Sequence, residues 1–274
     1  MIKKEKYIIE ILNFLKENNF ERVNLKKAFV WNSKDNCRGK IFVSIHTTLD
    51  KKYHYLNESI NNGAKAIITD IQIKKALLVK KVPCIYVKDL KRKHNNFLNY
   101  IFGNPLKGMK IIGVTGTDGK TSQVNLLAQS LYLCKKKVGI ISSGGNGIFP
   151  KLKKTKYTTP RIDILFNCFQ KFKEEKVNTV IIECSSQGLE QNRLNNINFD
   201  MSILTNIYKD HIDYHKSFKN YIKAKTKLLE STKKYIIMNS NLKNIIKKSD
   251  INKYAAKKIY FNITDYKKEF NNKN

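Results

Sequence analysis

The chain has 274 residues, 41% of them hydrophobic, and a formal net charge of +31, enough for one large domain or two ordinary ones, each with its own core. Only five of the 53 basic residues are Arg (Arg22, Arg38, Arg92, Arg161 and Arg193), which leaves 48 Lys scattered along the whole length; a nucleic-acid surface recruits Arg for bidentate contacts, so the charge reads as background usage whose field still attracts anionic substrates, and nucleic acid is not the expected partner. The five cysteines are an odd number and none has CxxC spacing, which argues against a disulfide framework or a metal knuckle and fits a reducing compartment.

The first segment, MIKKEKYIIEILNFLKENNF, reads as an amphipathic helix with Ile8, Ile11, Leu12 and Leu15 on one face. It lacks the apolar core and cleavage site of a signal peptide. No stretch approaches a membrane span, so the expectation is a soluble, cytoplasmic protein with no membrane partner. Residues 41–45 (IFVSI), 66–69 (AIIT) and 84–87 (CIYV) read as short buried strands, and 53–62 as a helix stopped by Gly63. GNPLKG (103–108) marks a boundary. It separates an α/β domain over 1–107 from a second domain over 108–274.

In the second domain MKIIGV (109–114), KVGII (137–141), NTVIIE (178–183), FDMSILTN (199–206) and KYIIMN (234–239) read as strands. Lys120 to Cys134, 161–175 and 217–230 read as helices, and SSGGNG (142–147) as a glycine-rich loop. Apolar strands alternating with helices predict a mainly parallel sheet covered on both faces. In such sheets ligands sit at the carboxyl ends of strands, and the polar clusters fall there: after Val114, at Glu183 and after Asn206.

GVTGTDGKTS (113–122) carries the strongest chemistry. Val114 stands where the first glycine of the common phosphate loop would be, so this is the shorter G-T-x-G-K-T form. Gly116 and Gly119 let the backbone curl so that the N–H groups of Thr117, Asp118 and their neighbours face phosphate. The helix N-terminus, with Ser122 in its first turn, adds positive potential. Lys120 reaches the phosphates, and Thr121 is placed for Mg²⁺. Together they predict an ATP site. Glu183 ends a buried apolar run, where a carboxylate needs a partner such as the divalent ion on ATP. The following stretch to Leu194, rich in hydroxyls and amides and holding the rare Arg193, suits an anionic polar ligand. His211, Asp213 and His215 alternate after a strand without a third soft ligand, which leaves open a single His on Mg²⁺ or Mn²⁺ or a purely structural role. Lys225 sits among several lysines with nothing in the pattern to single it out.

Taken in order, GVTGTDGKTS, YTTP (157–160), ECSSQGLEQNRL (183–194), TNIYKDHIDYH (205–215) and YIKAKTKLL (221–229) resemble the MurE-type Mur ligases, UDP-N-acetylmuramoyl-tripeptide synthetases of peptidoglycan synthesis. NSKDNCRGKIFVSI and NNGAKAIITD resemble segments of the same family, so the resemblance spans nearly the whole chain. It implies a small N-terminal α/β domain that binds the UDP substrate, followed by a phosphate-loop central domain. The implied reaction is ATP-dependent amide formation through an acyl phosphate. It adds a diamino acid to UDP-MurNAc-L-Ala-D-Glu. By the same resemblance Thr121 and Glu183 hold one Mg²⁺, His211 helps hold a second, and Lys225 is carbamylated. Tyr157, Thr158, Thr159, Ser185, Gln191 and Arg193 match substrate contacts. Ser33, Thr47, Thr48 and Leu49 match contacts to the uridine nucleotide.

Departures from the family pattern are Asp118 for Asn, Gln187 for His, and Asn32 and Lys34 for Asp and Arg. The family's third domain, which binds the incoming amino acid, has no counterpart before Asn274. The expectation is therefore a fragment, half of a split enzyme whose other chain supplies that domain, or a decaying form. Rival readings are a folylpolyglutamate-synthetase-like ligase and a non-catalytic nucleotide- or nucleic-acid-binding remnant.

Overall fold

The computed structural model describes residues 6–20, 24–45, 49–73, 81–246 and 248–262. The chain divides into two compact units, Met1–Asn104 and Pro105–Asn274, and the division falls inside GNPLKG.

The first unit opens on helix α1 (Lys6–Glu17), which buries Tyr7, Ile8, Ile11 and Leu15; Leu12, expected on that face, lies at its margin. A short helix α2 (Leu25–Ala28), capped by the Asn24 side chain, leads into strand β1 (Phe29–Val30). Strands β2 (Ile41–Ser44), β3 (Ala66–Thr69) and β4 (Cys84–Tyr86) follow, with helices α3 (Leu49–Asn61) and α4 (Leu90–Ile101) between and after them. The four strands form one parallel sheet in sequence order. Every side chain of β2 and β3 is buried, as strands covered on both faces require.

The second unit contains strands β5 (Lys110–Thr115), β6 (Val138–Ser142), β7 (Gly145–Ile148), β8 (Lys151–Lys153), β9 (Thr179–Glu183), β10 (Phe199–Leu204), β11 (Thr232–Asn239) and β12 (Lys257–Phe261). Its helices are α5 (Lys120–Leu133), α6 (Ile162–Glu174), α7 (Ser186–Glu190), α8 (Ile212–His215), α9 (Phe218–Glu230) and α10 (Lys248–Asn252). The sheet order is β12-β11-β10-β5-β9-β6-β7-β8, parallel from β12 to β6 and antiparallel at β7 and β8. Val124 and Ala128 of α5 pack on Val114, Val138, Ile140, Ile181 and Ile203 of four strands. Phe166, Phe169 and Phe172 of α6 are each buried.

The α/β class and the mainly parallel sheet agree with the sequence reading. The expected loop over 142–147 does not: Gly145 and Gly147 belong to β7, which pairs antiparallel with β6 and β8. Gly147 has φ +153°, and a Cβ there would lie 2.6 Å from the Lys151 carbonyl oxygen. Glycine is the condition for this close strand pairing, and a run of glycines imitates a loop to any reading of composition.

The topology places the site. The central strand β5 is flanked by β9 on one side and β10 on the other. The chain crosses toward β6 and β9, then returns past β5 to β10, so the order reverses beside β5. A crevice opens at the carboxyl ends of the strands at such a point. Val114 pairs with Glu183 and Thr115 with Leu204. The ends of three adjacent strands therefore deliver the glycine loop, the carboxylate and the Thr205–Asn206 pair side by side.

Candidate active site

The loop Gly116–Gly119 runs from β5 to the first residue of α5, with Gly119 as the N-cap in the left-handed region. Gly116 has φ +157°, and a Cβ there would fall 1.9 Å from Thr205 Oγ1. Any side chain is thus excluded at the point where the loop turns under the strand ends. Asn206 holds the loop: its Oδ1 accepts from Thr117 N at 3.0 Å and Asp118 N at 2.9 Å, and its Nδ2 donates to Asp118 O at 3.2 Å. Thr205 Oγ1 donates to the same Asp118 carbonyl at 2.9 Å. Lys120 Nζ curls back onto Thr117 O at 2.7 Å, closing a cationic ring over the loop. Beyond it the first-turn N–H groups of α5 have no partners within the helix and form a positive end. Ser122 is exposed in that first turn.

Glu183 is 2% exposed. Thr121 Oγ1 lies 3.0 and 3.1 Å from its two oxygens, and Ser143 gives one of them its N–H at 2.9 Å and its hydroxyl at 3.1 Å. Thr121 and Ser143 hydroxyls are 2.7 Å apart. No lysine or arginine pairs with this carboxylate among the described residues. A buried carboxylate surrounded by neutral donors carries an uncompensated charge, and a set of hard oxygens from Glu183 and Thr121 suits a small divalent cation. The donor chemistry therefore fits Mg²⁺.

The neighbouring wall is built on β9 and α7. Thr159 Oγ1 donates to Glu183 O at 2.9 Å and accepts from Ser185 N at 2.9 Å. Ser185 Oγ caps α7 through Gly188 N at 3.1 Å. Arg193 donates to Thr159 O at 2.5 Å and to Gln191 Oε1 at 2.6 and 3.0 Å, and Gln191 in turn donates to Tyr214 OH at 3.0 Å. The guanidinium is thus fixed by neutral oxygens and keeps its charge for a ligand. Lys120, Lys156, Tyr157, Thr158, Thr159, Ser185, Arg193, His211 and Lys225 line one cavity of about 340 Å³. This is a polar pocket carrying several cations, suited to an anionic substrate.

Lys225 is 1% exposed, with Nζ donating to Gly116 O at 2.6 Å and lying 4.5 Å over the Tyr221 ring. Burial, and then the nearby Lys120, push its amine down to about 7. His211 lies in the left-handed region and faces Asp210 at 3.4 Å. His215 is buried, 3.0 Å from Ser186 Oγ and 3.2 Å from Glu190.

The structure brings Thr121 to Glu183, and His211 to Lys120, Lys225 and the cavity. Among the described residues no three His, Cys, Asp or Glu side chains gather as a metal cluster. In the first unit Ser33 is buried, with its hydroxyl donated to Glu58 and its carbonyl accepting from Asn62. Thr47 and Thr48 lie outside the described residues. Leu49 opens α3, its side chain also outside the description. Ser143, inside SSGGNG, and Asn206, at the end of an apolar strand in TNIYKDH, carry no signal in the sequence beyond those positions. No helix among the described residues is long and apolar enough to cross a membrane.

Residues 114–274 match the Mur ligase middle domain. The UDP-N-acetylmuramoyl-L-alanyl-D-glutamate–2,6-diaminopimelate ligase of Wigglesworthia glossinidia brevipalpis is 36% identical over 225 residues, 79% of this chain and 45% of its own. A solved structure of a ligase of that name superposes with a TM-score of 0.70 at 25% identity, covering 86% of this chain and 48% of its own. The MurF ligase of Thermotoga maritima, solved with ADP, shares the fold at a TM-score of 0.53 and 19% identity, over 88% of this chain and 51% of its own. The chain spans about half the length of the curated relatives it matches.

Proposed function

The chain belongs to the Mur ligase family, and on that premise we propose that it carries the nucleotide and acceptor-substrate sites of an ATP-dependent amide ligase of peptidoglycan precursor synthesis. The acceptor is UDP-MurNAc-L-Ala-D-Glu and the amine comes from a diamino acid, the second substrate. The observation that carries this reading is the buried Glu183 carboxylate, paired with no lysine or arginine among the described residues and held by Thr121 directly beside the Gly116–Gly119 loop.

In this reading the N–H groups at the start of α5 and Lys120 bind the phosphates of ATP; the Thr117 and Asp118 amides, expected to face phosphate, are instead taken by Asn206. Lys120 leaves the Thr117 carbonyl to do so and balances charge on the transferred phosphoryl group. Glu183 and Thr121 hold Mg²⁺, which when bound neutralises phosphate charge. His211 is the further metal ligand proposed from the cavity side. Arg193, Tyr157, Thr158, Thr159, Ser185 and Gln191 orient the acceptor so that its carboxylate faces the loop. Lys225 is the carbamylated lysine. An amine held near 7 is substantially neutral at physiological pH, and the neutral amine is the form that adds CO₂, releasing one proton and leaving a carbamate. The first unit, with Ser33, Thr47, Thr48 and Leu49, is assigned the uridine end, and the cell compartment is the cytoplasm.

The test is phosphate release from ATP by the purified chain, alone and with a second polypeptide carrying the remaining half of the family architecture. Release that requires both UDP-MurNAc-L-Ala-D-Glu and a diamino acid supports the reading. Release indifferent to the muramoyl substrate, with no binding of it by calorimetry, rejects it.

A further inference from the structure

Tyr221 touches three groups that the proposed function treats separately. Its ring is fully buried in the first turns of α9, and its hydroxyl lies 2.9 Å from Thr117 Oγ1 in the glycine loop. Thr117 Oγ1 also accepts from Tyr208 N at 2.9 Å, so the threonine is gripped from two sides. One turn along α9, Lys225 Nζ lies over the face of the same ring while donating to Gly116 O. The rings of His215 and His211 stand against it at 5.3 and 6.5 Å between centroids. The residue also lines the 340 Å³ cavity. Phenylalanine would fill this space equally well; what tyrosine adds is one hydroxyl bond, and that bond ends on the loop.

We infer that Tyr221 is a positioning residue of the phosphate loop: its hydroxyl fixes Thr117, its ring seats Lys225, and loop and lysine are thereby held toward one ligand. The inference rests on reading Gly116–Gly119 as a phosphate loop. Thr117 is the residue through which it acts. The Thr117 and Asp118 amides are tied to Asn206 only while the loop keeps this shape. Loosening Thr117 therefore exposes those amides as well as spoiling the cradle for phosphate.

The test uses the whole chain as Tyr221→Phe, Thr117→Val and the double variant, with two measurements. The first is amide hydrogen exchange across residues 116–119 without nucleotide. The second is Mg·ADP affinity by calorimetry. Loss of one buried hydroxyl bond predicts exchange faster and affinity weaker by roughly 2- to 12-fold in Tyr221→Phe. The double variant should be no worse than the poorer single one, because both remove the same bond. Thermal midpoint should fall by no more than a few degrees. Unchanged exchange in Tyr221→Phe, or strictly additive effects in the double variant, overturns the inference. A parent chain that binds no nucleotide, with exchange still accelerated in Tyr221→Phe, rejects the phosphate-loop reading and leaves Tyr221 as the residue that sets the loop's shape.

Discussion

Gly116, Glu183 and Lys225 each carry a feature with a cost that the proposed function explains. At Gly116 the cost is steric. Gly116→Ala drives a methyl into Thr205 Oγ1 and places a side chain where only glycine is at ease, so the chain should lose about 1–3 kcal/mol of stability together with its nucleotide affinity. Urea titration and calorimetry check the pair; an alanine variant with normal affinity contradicts the loop geometry. At Glu183 the cost is a buried charge. Glu183→Gln should leave the metal-free chain as stable or more so, and should abolish the rise in melting temperature on adding Mg·ADP. At Lys225 the cost depends on pH. The folded amine titrates near 7 against its ordinary 10.5, so between those values the unfolded chain holds more protons and stability rises with pH. Below about pH 7 both states are protonated and the full penalty of a buried ammonium applies. Lys225→Met should therefore stabilise the chain at pH 6 and lose most of that advantage by pH 10. An equal gap at the two pH values in urea melts contradicts a buried, destabilised amine. Nothing around Lys225 in the sequence marks it, since its neighbours Lys223 and Lys227 look the same; only the turn of α9 that buries Lys225, while Lys227 is half-buried and Lys223 exposed, makes it special.

Among elements, those that read clearly from the chain are the long apolar strands and the helices between them, because period and length agree. β9 and α5 lie within a residue of expectation, and the loop between β5 and α5 follows from its glycines. The elements that escaped are short or atypical. β7 hides behind Gly145 and Gly147, β1 has two residues, α7 has five, and β12 is an edge strand with mostly exposed residues and no clear alternation. α3 begins four residues earlier than expected, because Leu49 and its neighbours lack the apolar spacing that would announce a first turn. Packing of α6 depends on its phenylalanines. Phe169 is fully buried, and Phe169→Ala should cost about 3–5 kcal/mol by loss of burial and the cavity left behind. Denaturant unfolding of the second unit measures it, and a cost under about 1 kcal/mol would mean that α6 is not anchored there.

For the whole molecule, the separate cores of the two units imply separate folding. Residues 105–274 expressed alone should unfold cooperatively and bind Mg·ADP as the full chain does, because every residue assigned to the nucleotide lies in that unit. Family membership was legible from five ordered motifs. The pairing of Thr121 with Glu183 came only through the resemblance, and the place of Ser143 beside them was not legible, because it depends on β5, β6 and β9 converging from positions far apart in sequence. The central claim is that this convergence makes a nucleotide site with Lys120 at its heart. Calorimetric titration of Mg·ADP into the parent chain and into Lys120→Ala, with matched far-ultraviolet circular dichroism, tests it most directly. Saturable one-to-one binding in the parent and none measurable in the variant is the predicted result; the same affinity in both would contradict it.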